Sequence, residues 1–120
     1  MKVLVVEDSI VNLEILSLIL QAMGYDVMMA ENGQEGYRLA NEYRPSLIIV
    51  DYHLPGMNGI ELVHKIRQNN SIAHIPIIAM TADIYAKNDL LNAGCDAYLA
   101  KPIRKGSLLR TITQVLATAV

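Results

Sequence analysis

The sequence predicts an α/β domain: five parallel strands in one sheet, with helices covering both faces. Three observations carry this. Short, β-branched apolar runs alternate with longer amphipathic ones five times along 120 residues. The short runs are apolar at successive positions, as strands covered on both sides are. Capping and turn residues punctuate the junctions. Strict β-α alternation of this kind packs as a parallel sheet whose crossovers lay helices on both faces.

The elements follow in order. Val3-Leu4-Val5-Val6 is too brief for a helix and reads as the first strand. Asp8 or Ser9 caps a helix expected over residues 10–23, which Gly24 ends. Residues 25–29 read as the second strand. Asn32-Gly33 turns the chain into a helix reaching about Tyr43, and Pro45 stops it. Leu47-Ile48-Ile49-Val50 is the third strand and runs into Asp51. A loop with Pro55 and Gly56 leads to a helix over residues 59–68. Residues 76–80 are the fourth strand, ending on Thr81, and a helix over 84–93 is closed by Gly94. Residues 97–100 are the fifth strand, Lys101-Pro102 follows, and the last helix spans about 105–117. With no linker, repeat or low-complexity tract, residues 1–120 read as one domain.

Composition narrows the function. Hydrophobic residues make up 52% and charged ones 18%, enough apolar side chain for a core rather than a disordered chain. A formal net charge of -2 lacks the basic footprint of a nucleic-acid binder, so no direct nucleic-acid partner is expected. The single cysteine, Cys95, forms no internal disulfide and suits a reducing cytoplasm, where it reads as a small buried hydrophobe. No apolar run approaches the ~18 residues of a membrane span, and Met1-Lys2 opens into a strand rather than a signal peptide.

Ligands of such sheets sit outside the carboxyl ends of the strands. Those ends carry Glu7 and Asp8, Asp51, Thr81 and Lys101. Singly each has a plainer reading: loop and N-cap, turn residue, strand end, Lys-Pro loop. Together they bring three acids, a hydroxyl and an ammonium to one place. Three carboxylates raise one another's pKa, and a hard divalent cation with oxygen ligands relieves them. Mg²⁺ suits one or two carboxylates with waters and a phosphate oxygen. Lys101 can pair with a phosphate oxygen, or with Asp51 in its absence. The cluster suits phosphoryl transfer to a carboxylate, which needs positioning and charge neutralisation more than covalent help.

Glu7-Asp8, Asp51 with Leu54-Pro55-Gly56-Met57-Asn58-Gly59, Thr81-Ala82 and Lys101-Pro102 resemble the receiver domains of two-component response regulators. The resemblance covers essentially the whole chain. It implies a flavodoxin-like, doubly wound sheet of strand order 2-1-3-4-5 and a phosphorelay function, with Asp51 as the phosphoacceptor. Asp8, Asp51 and the backbone carbonyl of His53 would then hold Mg²⁺ (with Mn²⁺ as an alternative), and Glu7 would act through water. Thr81 and Lys101 would hold the phosphoryl oxygens, Lys101-Pro102 would be cis, and Tyr98 would be the aromatic ring of a Thr81–Tyr98 switch. Such a chain catalyses only its own phosphorylation and slow dephosphorylation, and so is not counted an enzyme. The implied partners are a histidine kinase or histidine-phosphotransfer protein and a downstream protein target, with the chain a monomer or weak dimer. The Glu-Asp-Ser-x-x-Asn opening and Lys-Pro-Ile are similar to receivers of hybrid histidine kinases and single-domain relay regulators.

Three rivals fit less well. A haloacid-dehalogenase-type phosphatase wants a second Asp two residues after the nucleophile, where this chain has His53. A flavin carrier needs hydroxyls and amides after the first strand, where Glu7-Asp8 would repel its phosphate. A non-phosphorylated pseudo-receiver would not need the full set of acceptor, metal and phosphate residues. His53, His64 and His74 lack metal-ligand spacing. On a helical wheel Ile15, Leu16, Ile19, Leu20 and Met23 form the core face of the first helix, with Val11, Leu18 and Ala22 at its edge. That wide arc is either a deeply seated helix or a docking stripe through Val11, Ile15 and Leu18, with Pro102 beside it, for a phosphohistidine partner. Met28-Met29 reads as packing. His53 and Asp83, neither buried enough by pattern to be structural, are expected to flank the mouth of the site, His53 partly shielding the phosphoryl group and Asp83 orienting or admitting the attacking water, with pairing to His53 as one way of doing so.

Overall fold

The structure, a computed structural model, describes residues 1–118. The strands are β1 (Lys2–Val6), β2 (Asp26–Ala30), β3 (Leu47–Asp51), β4 (Ile77–Thr81) and β5 (Ala97–Ala100). The helices are α1 (Ile10–Ala22), α2 (Gly33–Tyr43), α3 (Gly59–Gln68), α4 (Lys87–Ala93) and α5 (Lys105–Thr118). All four strand pairings are parallel, in the order β2-β1-β3-β4-β5. The expected fold is the observed one.

Alternation along each strand divides the interior into two layers. Leu4, Val6, Ile48, Val50, Ile77 and Ala79 pack with Ala40, Leu62, Val63, Ile66 and Leu90, under α2, α3 and α4. Val3, Val5, Leu47, Ile49, Ile78 and Met80 pack with Leu13, Leu16, Leu20, Leu108 and Ile112, under α1 and α5. β1, β3 and β4 are thus apolar along nearly their whole length because both faces are covered.

The boundaries differ from the expectation where a local bond decides them. β2 lies one residue later than 25–29, and β4 starts at Ile77 instead of Pro76 and takes in Thr81. Arg44, in the left-handed region at φ 47°, ends α2 by donating its N–H to the Ala40 carbonyl, one residue ahead of Pro45. The single helix expected over 84–93 is two pieces. Asp83 caps a 3-10 turn, Ile84–Ala86, by accepting from the Tyr85 N–H at 2.9 Å, and α4 begins at Lys87.

The α1 wheel was wrong in one place that bears on function. The buried residues are Leu13, Leu16, Ser17 and Leu20, whereas Ile15, expected in the core, is exposed with Val11 and Leu18. A helix apolar nearly all round gives no unique inward face, so its seat on β1 and β2 selects it. Met29, read as packing, is also exposed, because β2 is an edge strand and its second face is incompletely covered.

Candidate functional site

The site is built at the carboxyl edge, where the ladder holds its residues beyond the strands. Glu7 donates its N–H to the Ala30 carbonyl at 3.0 Å, Tyr52 to Met80 at 2.8 Å and Lys101 to Thr81 at 2.8 Å. The loop after Asp51 returns against the strand it left, with the Gly59 N–H on the Tyr52 carbonyl at 2.9 Å. A Cβ at position 59 would stand 2.7 Å from the Asp51 carbonyl oxygen and 2.9 Å from Tyr52 Cα, so this close approach requires glycine. Of the two cap candidates it is Ser9 that caps α1, its Oγ accepting from the Asn12 N–H at 3.3 Å. Asp8 is left exposed at the mouth.

The structure brings Glu7, Asp8, Asp51 and Lys101 together. Lys101 Nζ donates to Asp51 Oδ2 at 2.8 Å and to Glu7 Oε2 and Oε1 at 3.1 and 3.3 Å. Glu7 and Asp51 are buried, at 1% and 3% exposure, so the ammonium is their internal countercharge. Asp51 is one of the two partners that the sequence offered for Lys101. Burial pushes the Glu7 carboxyl above its ordinary 4.5, and the hydrogen bond and charge of Asp51 push the same way, against Asn12 and Lys101. Burial alone would lower Lys101, but the bonds and charges of Asp51 and Glu7 hold its ammonium above the ordinary 10.5.

Carboxylate oxygens of Glu7, Asp8 and Asp51 lie within 4.8 Å of one another. An all-oxygen set without thiolate or imidazole fits a hard divalent cation. The backbone of His53 faces this cluster, its N–H donating to Asp51 Oδ1 at 3.2 Å. Thr81 is buried at the end of β4, and its Oγ1 accepts from the Asp83 N–H at 2.9 Å. Lys101-Pro102 is cis, as expected. Tyr98, in β5, is half-buried with the Lys87 ammonium 5.2 Å from its ring centroid.

Some expectations fail. His53 and Asp83 form no ion pair among the described residues; the Asp83 carboxylate caps the 3-10 turn, and the His53 ring stands edge-on to Tyr52, 4.7 Å between centroids. His64 and His74 are exposed, away from any metal cluster found among the described residues. Two residues escaped the sequence reading. Asn12, part of the Glu-Asp-Ser-x-x-Asn opening but given no role there, donates from Nδ2 to Glu7 Oε1 at 3.1 Å and orients that buried acid. Arg67 ties α3 to the loops around β4, donating to the carbonyls of Ala73, Ile75 and Gly94 and to Asp96 Oδ2. Nothing in local sequence marks it.

Val11 and Leu18, at 64% and 67% exposure, form with Ile10 and Ile15 an apolar stripe along the outside of α1. Ile15 also lines a cavity of about 450 Å³ together with Ile19, Pro102 and Ile103 and with Glu7 and Lys101 of the acidic site. The stripe is therefore continuous with the acidic site.

A buried acid at the end of β3, clamped by the lysine that follows β5 and flanked by the acids that follow β1, defines a phosphoryl-receiving class of α/β signalling domain. Comparison with known proteins agrees. Residues 3–113 match the response regulator receiver domain, and the chain belongs to that family. It is 34% identical over 119 residues to the polar-differentiation response regulator DivK of Brucella anthropi, covering 98% of this chain and 97% of that protein. It is similar to the receiver domain of the sensor histidine kinase PA1611 from Pseudomonas aeruginosa, with a magnesium ion coordinated in its active site cleft: TM-score 0.89, 31% identity, 97% of each chain covered. It is also similar to a chain in the co-crystal structure of the Saccharomyces cerevisiae histidine phosphotransfer signaling protein Ypd1 with the receiver domain of its downstream response regulator Ssk1. There the TM-score is 0.90 at 31% identity, over 100% of this chain and 92% of that one. The chain is a receiver of two-component signalling, and no helix among its described residues is long and apolar enough to cross a membrane.

Proposed function

We propose that Asp51 accepts a phosphoryl group from a phosphohistidine and that the remaining strand-end residues make it competent to do so. The observation that carries this is Lys101 Nζ held between Asp51 and Glu7. An Asp51 carboxylate oxygen attacks phosphorus, the P–N bond of the phosphohistidine breaks, and the electron pair leaves with the imidazole. Lys101 passes from the Asp51 carboxylate to a phosphoryl oxygen, keeping an ion pair throughout. The Thr81 hydroxyl donates to a second oxygen. Asp8, Asp51 and the His53 backbone carbonyl would hold Mg²⁺, or Mn²⁺, with Glu7 acting through water; a bound cation supplies charge neutralisation at the phosphoryl oxygens. The magnesium in the PA1611 receiver and the oxygen-only donor set here support that assignment.

The donor is a histidine kinase or histidine-phosphotransfer protein, docking on Val11, Ile15, Leu18 and Pro102. The outward position of the α1 stripe and the Ypd1–Ssk1 likeness support this over the deeply seated helix. In this reading residues 1–120 act as one cytoplasmic receiver domain, a regulator rather than an enzyme acting on other substrates, and signal to a protein target through the Thr81–Tyr98 switch. Acetyl phosphate with Mg²⁺ should place one acid-labile phosphoryl group on the protein, and Asp51→Asn should abolish it. Labelling of Asp51→Asn at the normal rate would remove Asp51 from this role.

A further inference from the structure

Lys87 opens α4 and is exposed, yet it forms no salt bridge among the described residues. Its one described partner is the ring of Tyr98, 5.2 Å from Nζ to centroid, within the range of a cation–π contact. A continuous set of bonds joins this contact to the site. Thr81 Oγ1 accepts the Asp83 N–H, the Asp83 carboxylate accepts the Tyr85 N–H, and the Asp83 carbonyl accepts the Ala86 N–H at 3.1 Å. The 3-10 turn so formed, anchored by buried Ala86, runs without a break into Lys87. A shift of the Thr81 hydroxyl toward an acyl phosphate would take the acceptor of the Asp83 N–H from the turn that leads into Lys87.

We infer that Lys87 is a latch on Tyr98: its ammonium holds the ring in the arrangement in which Lys101 is paired with Asp51, and so opposes the phosphorylated one. The inference rests on Asp51 being the phosphoacceptor. The latch is a positioning device, since Lys87 touches neither Asp51 nor Lys101. By reciprocity of coupling, anything that weakens it makes the phosphoryl-bound state easier to reach.

The test uses beryllofluoride with Mg²⁺ as a phosphoryl mimic, its binding followed by calorimetry. Lys87→Met should bind it about two- to fivefold more tightly than wild type, the fold-change equivalent to about 0.5–1 kcal/mol for an exposed cation–π contact. Lys87→Arg, which keeps a cation over the ring, should stay near wild type. In a Tyr98→Leu background, Lys87→Met should have no further effect. Unchanged binding by Lys87→Met, or the same tightening without the Tyr98 ring, overturns the latch. Wild type that binds no beryllofluoride, or binds it equally as Asp51→Asn, instead overturns the phosphoacceptor assignment and the latch with it.

Discussion

Replacing Lys101 by Met should move metal binding and phosphoryl chemistry in opposite directions. Lys101 Nζ stands 2.8 Å from Asp51 Oδ2 and 3.1 Å from Glu7 Oε2, so it neutralises two of the three carboxylates that a divalent cation would use. Two unit charges about 4 Å apart interact by about 4 kcal/mol at an effective dielectric of 20. The lysine side chain is 23% exposed, and solvent and salt reduce this to about 1–2 kcal/mol. Mg²⁺ should therefore bind the Lys101→Met protein roughly five- to thirtyfold more tightly, measured by calorimetry at neutral pH. Labelling by acetyl phosphate should fall by about 10²-fold or more, because the ammonium no longer meets the phosphoryl oxygens. Met keeps the length and apolar stem, so circular dichroism in the presence of Mg²⁺ should report an intact fold. Equal or weaker Mg²⁺ binding by a folded variant would refute the competition, and wild-type labelling would refute the role of Lys101 in transfer.

Leu18→Glu should slow transfer from a phosphohistidine partner at least about tenfold while sparing acetyl-phosphate labelling, since Leu18 is exposed and interface anchors of this kind cost more than about 1 kcal/mol; equal loss of both reactions would place the residue in the fold. Arg67→Ala should destabilise the protein by about 2–4 kcal/mol in urea titrations, because it removes a donor from three carbonyls and leaves the Asp96 carboxylate, among the described residues, only the Ile77 N–H, and Arg67→Lys should recover little of that. Burial pushes the Cys95 thiol from 9.0 up to about 12, against Arg67 and helped by Asp96, so iodoacetamide at pH 8 should label it only on unfolding. A folded value above the unfolded one means that this stability is full below pH 9.0. It is lost as pH rises from there toward about 12, which a pH series of denaturation midpoints would show.

The sheet and the site were legible for the same reason. β1, β3 and β4 are covered on both faces, so their apolar runs are unbroken, and each run stops where the chain reaches the polar carboxyl edge: Glu7, Asp51 and Lys101 are the first charged residues after β1, within β3 and after β5. What escaped depends on contacts that a local window does not contain. Arg67 finds Gly94 and Asp96 across 27 and 29 residues. The break at Ala86 is made by one Asp83 side chain whose alternative, pairing with His53, is equally consistent with the sequence. On α1, Ile15 and Leu13 have the same hydrophobic character, and packing against β1 and β2 leaves one outside and the other within.

Lys101 reaches Glu7 across 94 residues and Asp51 across 50, from a strand that pairs with neither β1 nor β3. β4 lies between, and its terminal Thr81 is the neighbour both of Lys101, through the backbone, and of Asp83, through its hydroxyl. On the proposed function, a phosphoryl group on Asp51 would therefore not change one of these contacts alone. If Asp51 is the phosphoacceptor, Lys101 turning to the new oxygens would weaken its pairing with buried Glu7. If the Thr81 hydroxyl followed, the Asp83 N–H would lose its acceptor. One added anion would thus act on the ends of β1, β3, β4 and β5 at once. The cost of leaving any of them unpaired in a buried site makes the rearrangement a choice between two sets of contacts rather than a graded shift.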